Sequence, residues 1–484
     1  MKLKDLLSTD AGLSGEVAAL DITGVAADSR HVAPGFVFAA LAGAKTDGAK
    51  FIAEAVAKGA VAILARPGTA VPAGVPLLPA DEPRRDFALL AARFHAGQPD
   101  VTVAVTGTSG KTSVVDFTRQ IFAACGHAAA SLGTIGIVRS DGSVYGSLTT
   151  PDPVSLHRTL SALQRDGITH LAFEASSHGL DQHRLDGVRL TAAAFTNLGR
   201  DHLDYHPTME AYLDAKLRLF RELLPEGAPA VINADDVASD KVIAAAREAK
   251  RQVLTVGRRG DFLRLVNAGR DGFAQVLEIA HAHRTHKVRL PLIGSYQASN
   301  ALVAAGLAIA AGAPANRVLS ALEHVKGVKG RLEIVGELRG GLIVVDYAHK
   351  PEALEAVLQA AKDFSTGRVI CVFGCGGDRD RGKRPIMGRI ARDLASTVIV
   401  TDDNPRSEDP ALIRKAIIAG ATDMREIGDR AEAIRAGMRL LAAGDVLVIA
   451  GKGHETGQIV GADVIPFSDH DEVHKALKEH ALDV

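Results

Sequence analysis

Only three cysteines, Cys125, Cys371 and Cys375, occur in 484 residues. So sparse and odd a set excludes a disulfide framework and fits a reducing compartment. Cys371 and Cys375 flank a Val-Phe-Gly run without a second Cys or His pair at metal spacing, so they read as core residues. Net charge is nearly absent too, at −1. That leaves no electrostatic footprint for nucleic acid or an anionic membrane, and any polyanion has to be met by local groups. No stretch approaches eighteen uninterrupted apolar residues, and MKLKDLLSTDAG at the N-terminus lacks the apolar region and cleavage site of a secretory signal. A cytoplasmic protein without membrane insertion is expected. There is no repeat at solenoid spacing and no low-complexity tract.

What is present is an ordinary globular composition, 47% hydrophobic and 23% charged, in a chain long enough for about three domains. HAGQPD (95–100) reads as a linker, and HVKGVKGRL (324–332) sets glycines and basic residues between two patterned regions. The expected domains are therefore 1–97, 98–328 and 329–484. In the first, FIAEAVAKGA (51–60) suggests a helix running into the strand VAILAR (61–66). In the second, LAFEASS (171–177), LTAAAFTNLG (190–199), PAVINAD (229–235) and QVLTVG (252–257) read as short buried strands between helices. The third repeats the alternation through GLIVVDYAH, RVICVFGCGGD, STVIVTDDNPR and GDVLVIAGKGHE. The fold class is α/β: a smaller mixed N-terminal domain, a central P-loop-type, mostly parallel sheet and a C-terminal doubly wound sheet. Ligands of such sheets gather at the C-terminal ends of the strands.

One stretch organises the rest. In VTVAVTGTSGKTS (101–113) an apolar strand stops at a loop holding Gly107, Thr108, Ser109 and Gly110 and ends on Lys111 and Thr112. That strand-loop-helix arrangement cradles nucleotide phosphates: backbone amides meet the anion, the lysine adds a point charge and the threonine hydroxyl suits Mg²⁺. A strict Walker A requires glycine at position 105, where this chain has Val105.

Glu174 interrupts an apolar strand and ends it, where an acid downstream of a phosphate loop holds Mg²⁺ directly or through water; a structural ion pair is the alternative. In NLGRDHLDYHP, His202 and His206 lack the glutamate of a zinc H-E-x-x-H, so His202 is read as completing a Mg²⁺ or Mn²⁺ shell or as an ordinary surface histidine. Lys216 lies on a helix, PTMEAYLDAKLRLFRELL, with Tyr212 four residues before it and Phe220 four after. On that apolar stripe an ammonium needs an anion, loses its charge or snorkels. Arg406 in DDNPR offers a fork for carboxylate or phosphate, and Arg379, Lys383, Lys452, His454 and Glu455 on neighbouring loops suit a zwitterion. Asp28, Ser29 and Arg30 form a polar triplet at a turn, and a serine nucleophile at SSH (176–178) lacks the G-x-S-x-G elbow.

Together TGTSGKT, TTPDP, EASSHGLDQHR, NLGRDHLDYH, AYLDAKLRLF, GRLE, DYAHKPEAL, CGGDRDRGKRP, DNPR and AGKGHE, in this order over nearly the whole chain, resemble the Mur ligase family. The resemblance implies an N-terminal UDP-binding domain, a central ATP-binding domain and a C-terminal Rossmann-like domain for the incoming amino acid. It implies that Ser29 and Arg30 lie near uridine diphosphate, and that Thr149, Thr150, Ser176, Gln182 and Arg184 bind the muramoyl-peptide portion. Asn300, Arg331 and Asp346 would contact adenosine or phosphate. Thr112, Glu174, His202 and Lys216 would serve the metal, with Lys216 carbamylated by CO₂. The DNPR variant resembles that of members adding meso-diaminopimelate rather than L-lysine, and Arg379, Asp403, Asn404, Gly451 and Glu455 would complete its site. Gln297 and Lys350 stand where the family often has Asn and Thr.

The activity so implied joins meso-diaminopimelate to UDP-N-acetylmuramoyl-L-alanyl-D-glutamate with ATP and Mg²⁺, through an acyl phosphate, by a monomer. Ligation of L-lysine and folylpolyglutamate synthesis are competing enzyme readings. A non-catalytic nucleotide-binding module is the alternative of another class.

Overall fold

The computed structural model describes residues 1–7, 14–43, 46–139, 142–144, 149–203, 205–272 and 274–482. They form two compact units, Met1–Leu265 with Leu302–Ala321, and Val266–Ala301 with Leu322–Val484.

The first unit opens with four parallel strands in sequence order, Gly24–Ala26, Phe36–Ala39, Ala60–Ala65 and Leu77–Pro79. The two-residue period of a strand divides their side chains between two faces. Val37, Ala39, Ala62 and Leu64 pack with Phe87 and Leu90 of the helix Pro83–Phe94, while Phe38, Ile63 and Ala65 pack with Ile52 and Ala55. The expected helix at 51–60 is shorter, a 3₁₀ turn Gly48–Phe51 followed by Ile52–Ala57, because Gly59 turns the chain at φ 100° into the strand. HAGQPD does join two sheets, yet it is no loose tether. Gln98 is buried and exchanges hydrogen bonds with the backbone of Arg189, donating to its carbonyl at 2.7 Å and accepting from its amide at 3.0 Å.

In the following sheet Gln252–Gly257, Pro229–Asn233, Ala192–Phe195, Val101–Thr106, His170–Glu174 and Ala129–Gly133 lie side by side and parallel, in that order. Val101–Thr106 is therefore central. From it the chain crosses to the Ala129–Gly133 strand, leaving the intervening place for His170–Glu174, so three strand ends open onto one crevice. The Lys216 helix runs over Met209–Arg218 and continues as a π-helical turn, Leu219–Leu223. Arg251 donates to the carbonyls of Phe220 and Arg221 at 2.8 and 3.0 Å, which satisfies backbone groups that the wider turn leaves over.

The second unit contains a hairpin, Ala274–His281 with Arg284–Leu290, and a six-stranded sheet. The sheet order is Glu333–Leu338, Gly341–Asp346, Val446–Ala450, Val369–Phe373, Thr397–Val400 and Arg425–Glu426, parallel except at the first edge. Helices Pro351–Phe364, Lys383–Leu394 and Pro410–Ile418 cover one face, and Arg430–Arg439 with Asp469–Leu482 cover the other. Cys371 and Cys375 are buried on the first face, and burial pushes both thiols up to about 12. The loops leaving Asp346, Phe373, Val400 and Ala450 carry this unit's charged motifs. Among the described residues no helix is long and apolar enough to cross a membrane.

Candidate active site

Val103, Ala104 and Val105 are fully buried, and their strand delivers the phosphate loop to the middle of the crevice. Gly107 takes φ 145°, and a Cβ there would lie 1.9 Å from Thr196 Oγ1. No larger residue fits. The neighbouring strand end clamps the loop: Ser109 N donates to Asn197 Oδ1 at 2.9 Å, Thr108 N to the Asn197 carbonyl at 2.9 Å, and Thr196 Oγ1 to the Ser109 carbonyl at 2.7 Å. Gly110, at φ 82°, is the N-cap of the helix Lys111–Ala124, whose first-turn amides and dipole favour an anion.

Lys111 Nζ donates to the carbonyls of Gly107 and Thr108, both at 2.9 Å. Lys216 Nζ reaches the same Gly107 carbonyl at 2.8 Å and lies 4.1 Å from the Tyr212 ring centroid. Lys216 is 1% exposed, and burial, reinforced by the charge on Lys111, holds its amine well below the ordinary lysine range. Burial and the neighbouring Lys111 thus favour the uncharged amine here, and the side chain does not snorkel.

Glu174, 1% exposed, accepts from Thr112 Oγ1 at 2.9 Å, from the Thr134 amide at 2.7 Å and from Thr134 Oγ1 at 3.2 Å. All three of these partners are neutral donors. A Cβ on Gly133 would lie 2.1 Å from Glu174 Oε1. The carboxylate and the Thr112 hydroxyl thus present hard oxygens side by side. Such donors suit Mg²⁺, which takes one or two carboxylates and leaves other positions to water and phosphate. His202 holds φ 54°, with Nε2 3.5 Å from Asp201 Oδ2 and its ring 4.8 Å from that of His178. Asp204 of the same motif lies outside the described residues.

A polar chain leads away from Glu174. Thr150 Oγ1 donates to the Glu174 carbonyl at 3.0 Å and meets the Ser176 hydroxyl at 2.9 Å, while Thr149 Oγ1 is 3.1 Å from Thr134 Oγ1. Arg184 donates to the Thr150 carbonyl at 2.7 Å and to Gln182 Oε1 at 2.7 Å. The structure therefore joins Thr149, Thr150, Ser176, Gln182 and Arg184 to the phosphate-loop acid. Ser29 and Arg30 sit instead in a 3₁₀ turn, Ser29–His31, between the first two strands of the N-terminal sheet, where Arg30 forks onto Asp28 and the Ser29 carbonyl accepts from Lys58 at 3.1 Å.

In the second unit Asn300 Nδ2 donates to Gln297 Oε1 at 3.0 Å, and Gln297 Nε2 lies 3.5 Å from the Arg331 carbonyl. The Arg331 guanidinium stacks over Tyr347 at 4.6 Å. Asp346 accepts from the amides of Leu332 and Ala348 at 2.6 and 2.7 Å, and burial raises its carboxyl to about 6. Lys350 is the N-cap of Pro351–Phe364 and makes no side-chain cap bond, as expected of an ammonium where threonine would cap.

The remaining expected residues gather at the other strand ends of the same unit. Asn404 Nδ2 donates to Glu455 Oε2 at 2.8 Å, Arg406 Nη1 donates to the carbonyls of Gly377 and Asn404 at 3.0 and 3.2 Å, and a Cβ on Gly451 would lie 2.3 Å from Asp403 Oδ2. Arg379 and Arg406 both border Gly376. Three groups escaped the sequence reading. Thr134 and Thr196 are threonines next to strand ends, a weak signal; Gln458 stands on a hairpin, Gly457–Val460 with Asp463–Pro466, that carries no chemical motif.

Three family models cover the chain: "Mur ligase family, catalytic domain" over residues 21–95, "Mur ligase middle domain" over 105–308 and "Mur ligase, glutamate ligase domain" over 330–453. The chain belongs to the Mur ligase family. Among curated Mur ligases it is 59% identical, over 99% of both chains, to the UDP-N-acetylmuramoyl-L-alanyl-D-glutamate--2,6-diaminopimelate ligase of Bradyrhizobium diazoefficiens. It is 57% identical, over 98% of both, to the protein of the same name in Chelativorans sp. (strain BNC1). A solved structure titled as that ligase matches with a TM-score of 0.76 and 32% identity over 99% of both chains.

Proposed function

We propose that this Mur ligase adds meso-diaminopimelate to UDP-N-acetylmuramoyl-L-alanyl-D-glutamate, with ATP, in peptidoglycan precursor synthesis. The observation that carries the choice of acceptor is the 2.8 Å bond from Asn404 to Glu455 beside Arg406. It sets a guanidinium fork and a carboxylate on adjoining loops, as the zwitterionic far end of diaminopimelate requires. L-lysine has no far carboxylate for the fork. Folylpolyglutamate synthesis leaves DNPR and the Ser29–Arg30 segment without a role.

The D-glutamyl γ-carboxylate attacks the γ-phosphate of ATP, forming an acyl phosphate and releasing ADP. An amine of the acceptor then attacks the acyl carbon, and phosphate departs from the tetrahedral intermediate. No side-chain nucleophile is needed. The loop of Gly107, Thr108, Ser109 and Gly110, clamped by Asn197, and the first helical turn at Lys111 and Thr112 hold the phosphates, and Lys111 turns its ammonium from the loop carbonyls to the phosphate oxygens. Thr112, Glu174 and His202 would hold Mg²⁺, which would offset phosphate charge. In its neutral form the Lys216 amine would add to CO₂ with loss of one proton, and the carbamate would give this buried position an anion. Thr149, Thr150, Ser176, Gln182 and Arg184 orient the muramoyl-dipeptide, Ser29 and Arg30 the uridine diphosphate, and Asn300, Arg331 and Asp346 the adenosine. Arg379, Asp403, Asn404, Arg406, Gly451 and Glu455 take the acceptor. We further infer a cytoplasmic monomer with domain boundaries near residues 97 and 328.

The test is ADP release with the UDP-dipeptide and either meso-diaminopimelate or L-lysine. Faster release with diaminopimelate is expected; equal rates would refute the assignment of the acceptor.

A further inference from the structure

Lys452 has no part in the mechanism above, yet its side chain is fully buried amid the acceptor loops. Its Nζ lies 3.0 Å from Gln458 Oε1, 3.2 Å from Asn404 Oδ1 and 3.4 Å from Glu455 Oε2, which engages all three ammonium donors. Asp403 Oδ1 stands at 3.8 Å. One cation thus touches the DNPR loop, the GKGHE loop and the Gly457–Val460 strand.

The Asn404 amide shows what this contact decides. Its Oδ1 faces two donors, Lys452 Nζ and the Ile459 amide at 2.9 Å, while its Nδ2 donates to Glu455. Reversing the amide would set its NH₂ against both donors and withdraw the bond to Glu455. Asn404 and Arg406 hold φ 46° and 53° on either side of Pro405, a conformation that non-glycine residues keep only when surrounding bonds enforce it. The strand opposite does so: Arg406 N donates to the Ile459 carbonyl at 3.0 Å, and Asn404 N to Gln458 Oε1 at 3.2 Å.

We propose that Lys452 is a positioning and selectivity residue of the acceptor site: its ammonium fixes the Asn404 amide and the Glu455 carboxylate and biases the site against an acceptor whose far end is only cationic. Lys452 adds a cation to loops that already carry Arg379 and Arg406. With a neutral residue in its place the like-charge penalty on a lysine side chain would fall. The inference rests on the reading of these loops as the amino-acid site.

The experiment compares wild type with Lys452→Met, measuring kcat and KM for meso-diaminopimelate, L-lysine and ATP. A KM for diaminopimelate raised about 10- to 100-fold is expected, the range for loss of a charged hydrogen-bond partner. The ratio of kcat/KM for lysine over diaminopimelate should rise as well, with KM for ATP unchanged. A diaminopimelate KM within about twofold of wild type, or an equal rise in KM for ATP, overturns the proposal. Should Lys452→Met fail to fold, Gln458→Leu removes one partner of the ammonium from a less buried position. It should raise the acceptor KM in the same direction by a smaller factor, and an unchanged KM overturns the proposal equally. If wild type prefers lysine, the acceptor assignment fails by itself, whereas a selective rise in the variant's acceptor KM still supports the positioning role.

Discussion

Thr112 Oγ1 and Glu174 Oε1 are hydrogen-bonded at 2.9 Å, which couples the first turn behind the phosphate loop to the end of the neighbouring strand. A glutamine at 174 keeps an oxygen for that bond, removes the charge and sets an NH₂ against Thr134 Oγ1, whose hydroxyl can turn to accept. Glu174→Gln should therefore fold normally and require about 10- to 100-fold more Mg²⁺ for half-maximal activity. Titrating activity against Mg²⁺ measures this, and a curve superimposing on wild type would remove Glu174 from the metal.

Gly133→Ala should mimic that defect without touching a charged group. The new Cβ would lie 2.1 Å from Glu174 Oε1, so the carboxylate has to move off Thr112 and Thr134. The same Mg²⁺ titration should shift in the same direction, and combining the two substitutions should add little, because they act on one oxygen.

For Lys216→Ala the expectation is near-complete loss of activity, with partial return on adding a short carboxylic acid. Desolvation first and Lys111 second hold the buried amine below its usual range, which favours the neutral form that reacts with CO₂. Activity close to wild type in the variant would exclude a role for Lys216.

Asp346 predicts a pH dependence of stability. Burial raises its carboxyl from 3.8 to about 6, so in that window the folded protein binds the proton more tightly than the unfolded chain does. The contribution is fully present below about pH 4 and is lost as pH rises through 6, by about 3 kcal/mol for this group. Wild type should gain on Asp346→Asn when pH is lowered from 7 to 4, as followed by denaturant unfolding at each pH; a constant difference would refute the shift.

Motifs whose parts are contiguous were legible in the sequence. The strand, the glycines, Lys111 and Thr112 follow one another, and short apolar runs between helices marked the sheet that delivers them. Glu174 and Lys216 were legible as anomalies, charges where burial was expected. Their partners were not. That Thr134 meets Glu174 depends on Ala129–Gly133 lying beside His170–Glu174, a strand order that no local pattern encodes. Gln458 was hidden for a similar reason, since it matters only because its hairpin pairs with Arg406. The strand Arg284–Leu290, RTHKVRL, is polar at most positions and exposes much of itself, so its alternation was too weak to read.

Neither compact unit is a continuous stretch of chain. The first is completed only by Leu302–Ala321, after Val266–Ala301 of the second has already been synthesised. Its closing helix, Ala315–Ala321, packs on Lys111–Ala124, the helix behind the phosphate loop. During translation that loop's supporting helix waits some two hundred residues for its cover, with apolar surface open to chaperones and to misassembly. No single cut can yield both units whole, so the nucleotide-binding half has to be produced as an excision and a splice rather than as a truncation.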